Sequence, residues 1–286
     1  MREGSRRLGA VAIFLYAFMY LPLVMVVGLS FNASRFGVGW GGWTLDWYRL
    51  ALRNPQTVSS LKNTLLLALF STLISTLLGT LLGYGLNRHP FRGKKLFARV
   101  LMLPIAIPDI VMAVSLLLFF SVMRQASGWF QLGLGTMIIA HVTFQIPFVA
   151  VVVRSRLHGL DASIEEAAYD LGAGRMQRLW HVTLPLMRPG IVAGALLAFT
   201  LSLDDFVVSF FTSGAGSTTL PIYIYSSVKR GLSAEIHALS TLMIAAAVLG
   251  TIGITWLQWR SDKRSISTPV PNRFSRREER AVQKIV

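Results

Sequence analysis

The chain has 286 residues, 53% of them hydrophobic and 14% charged, where soluble domains carry about 25% charged residues. That balance excludes an ordinary water-soluble enzyme, and the absence of cysteine excludes disulfides and thiolate metal sites. The net charge of +15 invites a nucleic-acid reading, but the Lys and Arg flank long apolar runs, where a gain of about 1 kcal/mol each at an anionic lipid surface accounts for them without DNA.

Six apolar runs reach the roughly 20 residues of helix that cross a bilayer, at 9–31, 64–86, 97–123, 132–153, 188–211 and 238–259. The first follows Arg2, Arg6 and Arg7. It is too long for the apolar core of a signal peptide and has no small-residue cleavage site, so it reads as an anchor. An external segment, Trp40 to Leu50, is rich in aromatic residues and suits an interfacial helix. Within it, Trp47 or Tyr48 is a candidate ring face for a passing cation. The second run carries Ser71, Ser75, Gly79 and Gly83, and the fifth Gly190, Gly194, Ala198 and Ser202, each at four-residue spacing. Such stripes let helix backbones approach closely, and both read as packing surfaces.

Three carboxylates interrupt apolar runs: Asp109 in the third, Asp204 and Asp205 in the fifth. An ionised group inside the bilayer costs about 2.5–3.5 kcal/mol on insertion scales, so each needs a partner, a cavity or a pathway. Pro108 marks a place where a helix breaks and restarts, which puts a positive helix end beside Asp109. Adjacent Asp204 and Asp205 lie about 100° apart around a helix, so one is expected to serve packing and the other the cavity. No Lys or Arg lies in the central parts of these runs, and a cationic substrate would supply the missing charge. His141, near the start of the fourth run, is a candidate for the same network or for a simple interhelical hydrogen bond. The outer loop 212–237 opens Ser213-Gly214-Ala215-Gly216-Ser217 and turns apolar around Tyr223. It is a candidate re-entrant element, and Tyr223 a candidate aromatic surface near the outside.

With the amino terminus placed in the cytoplasm, 21 Lys and Arg fall inside and 7 outside. Positive residues favour the cytoplasmic side, so both termini and the polar stretch 154–188 face inward. Residues 261–286, with Pro269 and Pro271 and few apolar groups, read as a basic, disordered tail.

That inner stretch contains Glu166-Ala167-Ala168-Tyr169-Asp170-Leu171-Gly172, closed by Leu184-Pro185. Ile164, Ala167, Ala168 and Leu171 share one face of a short helix, and Gly172 suits a left-handed turn after it. A second short helix is expected to stop before Pro185. The segment resembles the cytoplasmic EAA loop of bacterial ABC importer permeases, with Val182 where that family usually has Ile. Phe31 to Gly37, Pro108 to Ala113, His141 to Phe144 and Phe199 to Phe206 further resemble the spermidine/putrescine branch of the type I importers, and within it the second of two permease subunits.

The resemblance implies an all-α integral membrane protein with six transmembrane helices and a coupling-helix loop at 161–186. It divides the chain into 1–58 (amino terminus, first helix and aromatic segment), a permease core at 59–260 and the tail. It implies inward movement of polyamines across the bacterial inner membrane, with both termini cytoplasmic. The implied partners are a cytoplasmic ABC ATPase dimer docking at Glu166, Ala167, Ala168, Gly172, Leu184 and Pro185, a second homologous permease, an extracytoplasmic polyamine-binding protein and membrane lipid. Since no G-x-x-x-x-G-K-[ST] occurs, ATP and magnesium are expected on the ATPase, with no cofactor and no catalysis on this chain. The substrate pathway is expected at Asp109, Asp204, Asp205, Trp47 and Tyr223. Rival readings are an ABC permease for another small solute (thiamine, ferric iron, sulfate or an aminophosphonate), a proton-coupled secondary transporter using the same aspartates, and an intramembrane hydrolase. The transporter rival is disfavoured by the lack of an internal repeat, the hydrolase by a Ser213 with no evident base.

Overall fold

A computed structural model describes residues 2–34, 39–161, 163–231, 234–246 and 248–249. The chain divides into two compact units, residues 1–47 with 234–286, and residues 48–233. Among the described residues five helices are long and apolar enough to cross a membrane: Val11–Leu29, Pro55–Arg88, Asp109–Ser127, Leu134–His158 and Arg175–Asp204. The expected sixth span appears as the start of an apolar helix, Ala234–Ala246, and its remainder lies outside the described residues, as does the tail.

In the first unit, α1 (Arg2–Leu29) exposes its apolar side chains from Val11 to Met25, Ile13, Phe14 and Phe18 among them. That pattern suits a helix solvated by lipid. Beyond it Asn32 organises the chain's turn: its Oδ1 accepts the Ser34 and Gly41 amides and its Nδ2 donates to the Gly39 carbonyl. The next helix, α2 (Asp46–Arg53), most of which belongs to the second unit, is the short helix expected in the aromatic segment.

The second unit is built on three helices, α3 (Pro55–Arg88), α7 (Leu134–His158) and α10 (Leu184–Asp204). Between α3 and α7 run α4 (Lys94–Leu101), α5 (Leu103–Ala106) and α6 (Asp109–Ser127). Asn54 starts α3 by accepting the Gln56 amide at 3.0 Å, with Pro55 in the first turn where its missing N–H costs nothing. Both small-residue stripes are buried. A Cβ on Gly79 would stand 2.6 Å from Val149 Cβ, and one on Gly190 would stand 2.7 Å from Arg156 Cβ. The two stripes therefore seat α7 from two sides, as expected of packing surfaces. Val149, Val153, Leu157, Met187 and Ala198 fill the apolar seam between them.

Two expected spans are not single helices. The third run, 97–123, divides into α4, α5 and α6: Met102 separates the first two, and the extended Ile107 and Pro108 precede the restart of α6 at Asp109. Asp109 thus opens the membrane-length helix instead of lying midway along a continuous one. The fifth run breaks at Asp205 (φ −64°, ψ 123°) and resumes as α11 (Val207–Thr212). The outer loop folds into α12 (Leu220–Lys229) and is tied to the start of α3, where Asn63 donates to the Gly216 and Thr218 carbonyls. Ten residues of helix, about 15 Å, are too short to span.

Candidate functional site

Both interruptions meet at one place. Pro108 at the N-cap of α6 leaves Asp109 in the first turn, where the unpaired amides of a helix start favour a carboxylate. At the other break Asp205 caps α11, accepting the Val208 amide at 3.3 Å and the Ser209 amide at 2.7 Å. Asp204 is the last residue of α10 and stays exposed. The two neighbours therefore have different environments, as expected, but the cause is a helix break and not an angle around one helix.

A fully buried imidazole bridges this break. His141 of α7 has Nδ1 2.8 Å from Ser202 Oγ on α10 and Nε2 3.0 Å from Ser209 Oγ on α11. The same Nε2 lies 3.3 Å from Asp205 Oδ2. Behind it, Gln145 Nε2 donates to Ser71 Oγ and to the Ala198 carbonyl, and Ser71 Oγ donates to Ser202 Oγ at 3.3 Å. His141 so joins both an interhelical network and the carboxylates.

Asp109, Asp204 and Asp205 line one cavity of about 340 Å³, with Phe144, Phe148 and Phe206 among its walls. Among the described residues no Lys or Arg pairs with any of the three. Asp205 has its charge directed at α11 and His141, whereas Asp109 and Asp204 have no cationic side chain beside them among the described residues. Two carboxylates beside aromatic faces in a pocket walled by helices suit positively charged groups in their chemistry.

Tyr223 and Trp47 are not in this cavity. Tyr223 is buried on α12, and its hydroxyl accepts from Asn54 Nδ2 at 3.1 Å. The Trp47 indole donates to the Asn32 carbonyl at 2.9 Å and anchors the turn of the first unit.

The inner loop has the expected opening. α8 (Ser163–Asp170) ends at Gly172, whose φ of +83° is left-handed, with the Gly172 amide donating to Tyr169 and the Ala173 amide to Ala168. Before α8, Asp161 accepts the Ser163 amide at 3.0 Å, and the Ser163 amide and hydroxyl hold its carboxyl below the usual carboxylate range. Glu166, Ala167 and Leu171 are exposed, Leu171 at 88%. Tyr169, Met176 and Trp180 are also exposed. These apolar groups face outward, with the Arg178 guanidinium 5.2 Å over the Tyr169 ring, and such an exposed apolar patch suits a protein contact. Contrary to expectation, the second helix does not stop before Pro185. α9 (Arg175–Arg178) runs through a π-turn at Leu179–Thr183 directly into α10, where Leu184 and Pro185 form the first turn. The wider turn accommodates the proline, whose ring clashes with a preceding carbonyl only in regular α geometry.

Residues 75–267 match a protein family described as the inner membrane component of binding-protein-dependent transport systems. The chain belongs to that family. The putrescine transport system permease protein PotI of Escherichia coli strain K12 is 43% identical over 255 residues, covering 88% of this chain and 90% of PotI. The spermidine/putrescine transport system permease protein PotC of the same strain is 41% identical over 238 residues, covering 83% and 88%. A chain of the bacterial alginate ABC transporter, solved with a pentasaccharide-bound periplasmic protein, has a TM-score of 0.69 at 18% identity, covering 94% of this chain and 97% of its own. The fold is that of the ABC importer permeases.

Within this family member, sequence reasoning missed three features. Glu165, and not only its neighbour Glu166, is anchored: Arg88 at the end of α3 donates to it at 2.9 Å, and Thr183 Oγ1 donates to it at 3.1 Å. Phe144 and Phe148 line the cavity one helical turn apart on the His141 side of α7, a spacing visible in the sequence. The bridging of the break by His141 had no local signal, because Ser202 and Ser209 lie on separate elements.

Proposed function

We propose that this chain is a membrane-spanning permease subunit of an ATP-driven ABC importer that moves polyamines, putrescine and spermidine, inward across the inner membrane. The observation that carries the substrate is the cavity: Asp109 and Asp204 lack cationic side-chain partners among the described residues and share a space with three phenylalanines. A polyamine is a chain of methylenes between ammonium groups, so separated carboxylates joined by aromatic wall match it in charge and polarity. The kinship with PotI and PotC supports the same class.

On this reading a cytoplasmic ATPase dimer receives the exposed face of α8 around Glu166, Ala167, Ala168 and Gly172, and the Leu184-Pro185 turn carries the push into α10. ATP and magnesium belong to that partner, which performs the hydrolysis. A second, homologous permease completes the membrane pore, and an extracytoplasmic binding protein delivers the polyamine. Both termini are cytoplasmic, as the charge bias demands. Transport proceeds by alternating access, in which nucleotide and polyamine each bind the inward and outward states unequally.

The test is uptake of labelled putrescine and spermidine by the reconstituted complex, with unlabelled thiamine and amino acids as competitors. Saturable uptake that only polyamines displace is the expected result. Displacement by thiamine, or no polyamine uptake from a complex that hydrolyses ATP, would assign the cavity to another solute.

A further inference from the structure

The break in the fifth span needs an explanation, because Leu203 to Val207 contains neither glycine nor proline. Asp205 caps α11 locally, and tertiary bonds join the two sides of the break. The His141 ring meets Ser202 on one side of the break and Ser209 with Asp205 on the other. The network has a consistent direction when the imidazole is neutral with its proton on Nε2. Gln145 donates to Ser71, Ser71 to Ser202, and Ser202 to Nδ1. Nε2–H then faces both Ser209 Oγ at 3.0 Å and Asp205 Oδ2 at 3.3 Å, and Asp205 itself accepts the two amides that open α11. The direction of donation runs from Gln145 across the break to the Ser209 and Asp205 side.

We infer that His141 is a positioning residue for cation capture: by donating across the break it fixes Asp205 as the cap of α11 and leaves Asp204 as the carboxylate presented to the cavity. Two neighbouring acids compete for one helix end, and the buried imidazole decides between them. Without it, either aspartate can cap, and the free carboxylate is no longer held against Phe206 and opposite Asp109. This rests on the reading of the cavity as the polyamine path.

The atoms distinguish this role from space filling. Gln at position 141 places an amide donor near the site of Nε2, whereas Asn places its carbonyl near the site of Nδ1 and leaves Asp205 without a donor. In reconstituted complexes, His141→Ala is expected to raise the half-saturating polyamine concentration about tenfold, the order of a lost charge-assisted hydrogen bond. The maximal rate should change less. His141→Gln is expected to recover most of that loss and His141→Asn little of it. Equal behaviour of Gln and Asn, or an unchanged half-saturation in the Ala variant, would overturn the assignment. If the Ala variant does not assemble, the Gln and Asn pair still decides.

A second measurement needs no polyamine. The chain has no cysteine, so Leu201→Cys, in the cavity wall, offers a single thiol to a cationic methanethiosulfonate reagent while both aspartates stay in place. Labelling should be about tenfold slower in the His141→Asn background than in the His141→Gln background, by the same lost bond. Equal rates would refute the positioning role even if the transported solute proves to be something else. Failure of polyamine uptake with a rate difference intact would sink the substrate and spare His141.

Discussion

Asp109, Asp204 and Asp205 share a cavity, yet their surroundings assign them unequal tasks. Asp205 spends its acceptors on the Val208 and Ser209 amides. Asp205→Asn keeps a capping oxygen and should cost little stability, whereas Asp205→Ala removes the cap at about 1 kcal/mol and should lower the melting temperature of the purified complex. Asp109→Asn and Asp204→Asn preserve size and remove charge. Each should reduce apparent polyamine affinity or uptake rate about tenfold while the complex stays assembled, the scale of one charge-assisted hydrogen bond. Wild-type half-saturation and rate in both would make these carboxylates structural. The residue types and their isolation were readable in the sequence. Which of two adjacent acids is free was not, since that depends on a histidine more than sixty residues away.

At the scale of elements, glycines do two separate things. A side chain on Gly172 would meet nothing within 4 Å, so only its left-handed backbone restricts the position. Gly172→Val should strain the turn by about 1–2 kcal/mol and misdirect α9. Substrate-stimulated ATP hydrolysis by the assembled complex should fall while membrane insertion persists, and unchanged stimulation would count against the coupling loop. Gly79 is the opposite case, with an ordinary backbone and no room. Gly79→Ala should force α3 and α7 apart at a cost of about 1–3 kcal/mol, read as a lower melting temperature that Val149→Ala in the same chain partly restores. Both positions were legible, because a glycine at a helix end and a four-residue stripe each leave a local pattern. The break at Pro108 was legible for the same reason. The break at Asp205 and the unbroken passage through Pro185 were not: the first joins an aspartate cap to a distant histidine, the second rests on a π-turn that no residue announces.

For the whole molecule, the orientation follows from charge and can be tested on the cysteine-free background. Single cysteines at Ala33, Ser127 and Thr218, all exposed, should react with an impermeant thiol reagent added outside sealed cells, and one at Ser163 should not. Labelling at position 163 from outside would invert the topology and remove the ATPase from reach of α8. The all-helical membrane class was evident from composition and run length alone. The passage through Pro185 has a mechanical meaning. From Arg175 to Asp204 the backbone is one helical strut of 30 residues, about 45 Å long at 1.5 Å per residue. Its lower end lies in the inner loop beside the Glu165 clasp, and its upper end is the aspartate offered to the cavity. The π-turn at Leu179–Thr183 and Pro189 are two places where this strut can bend, and the break at Asp205 is a third. On the proposed coupling, a stroke at the loop is shared among these three joints before it changes the bearing of one carboxylate.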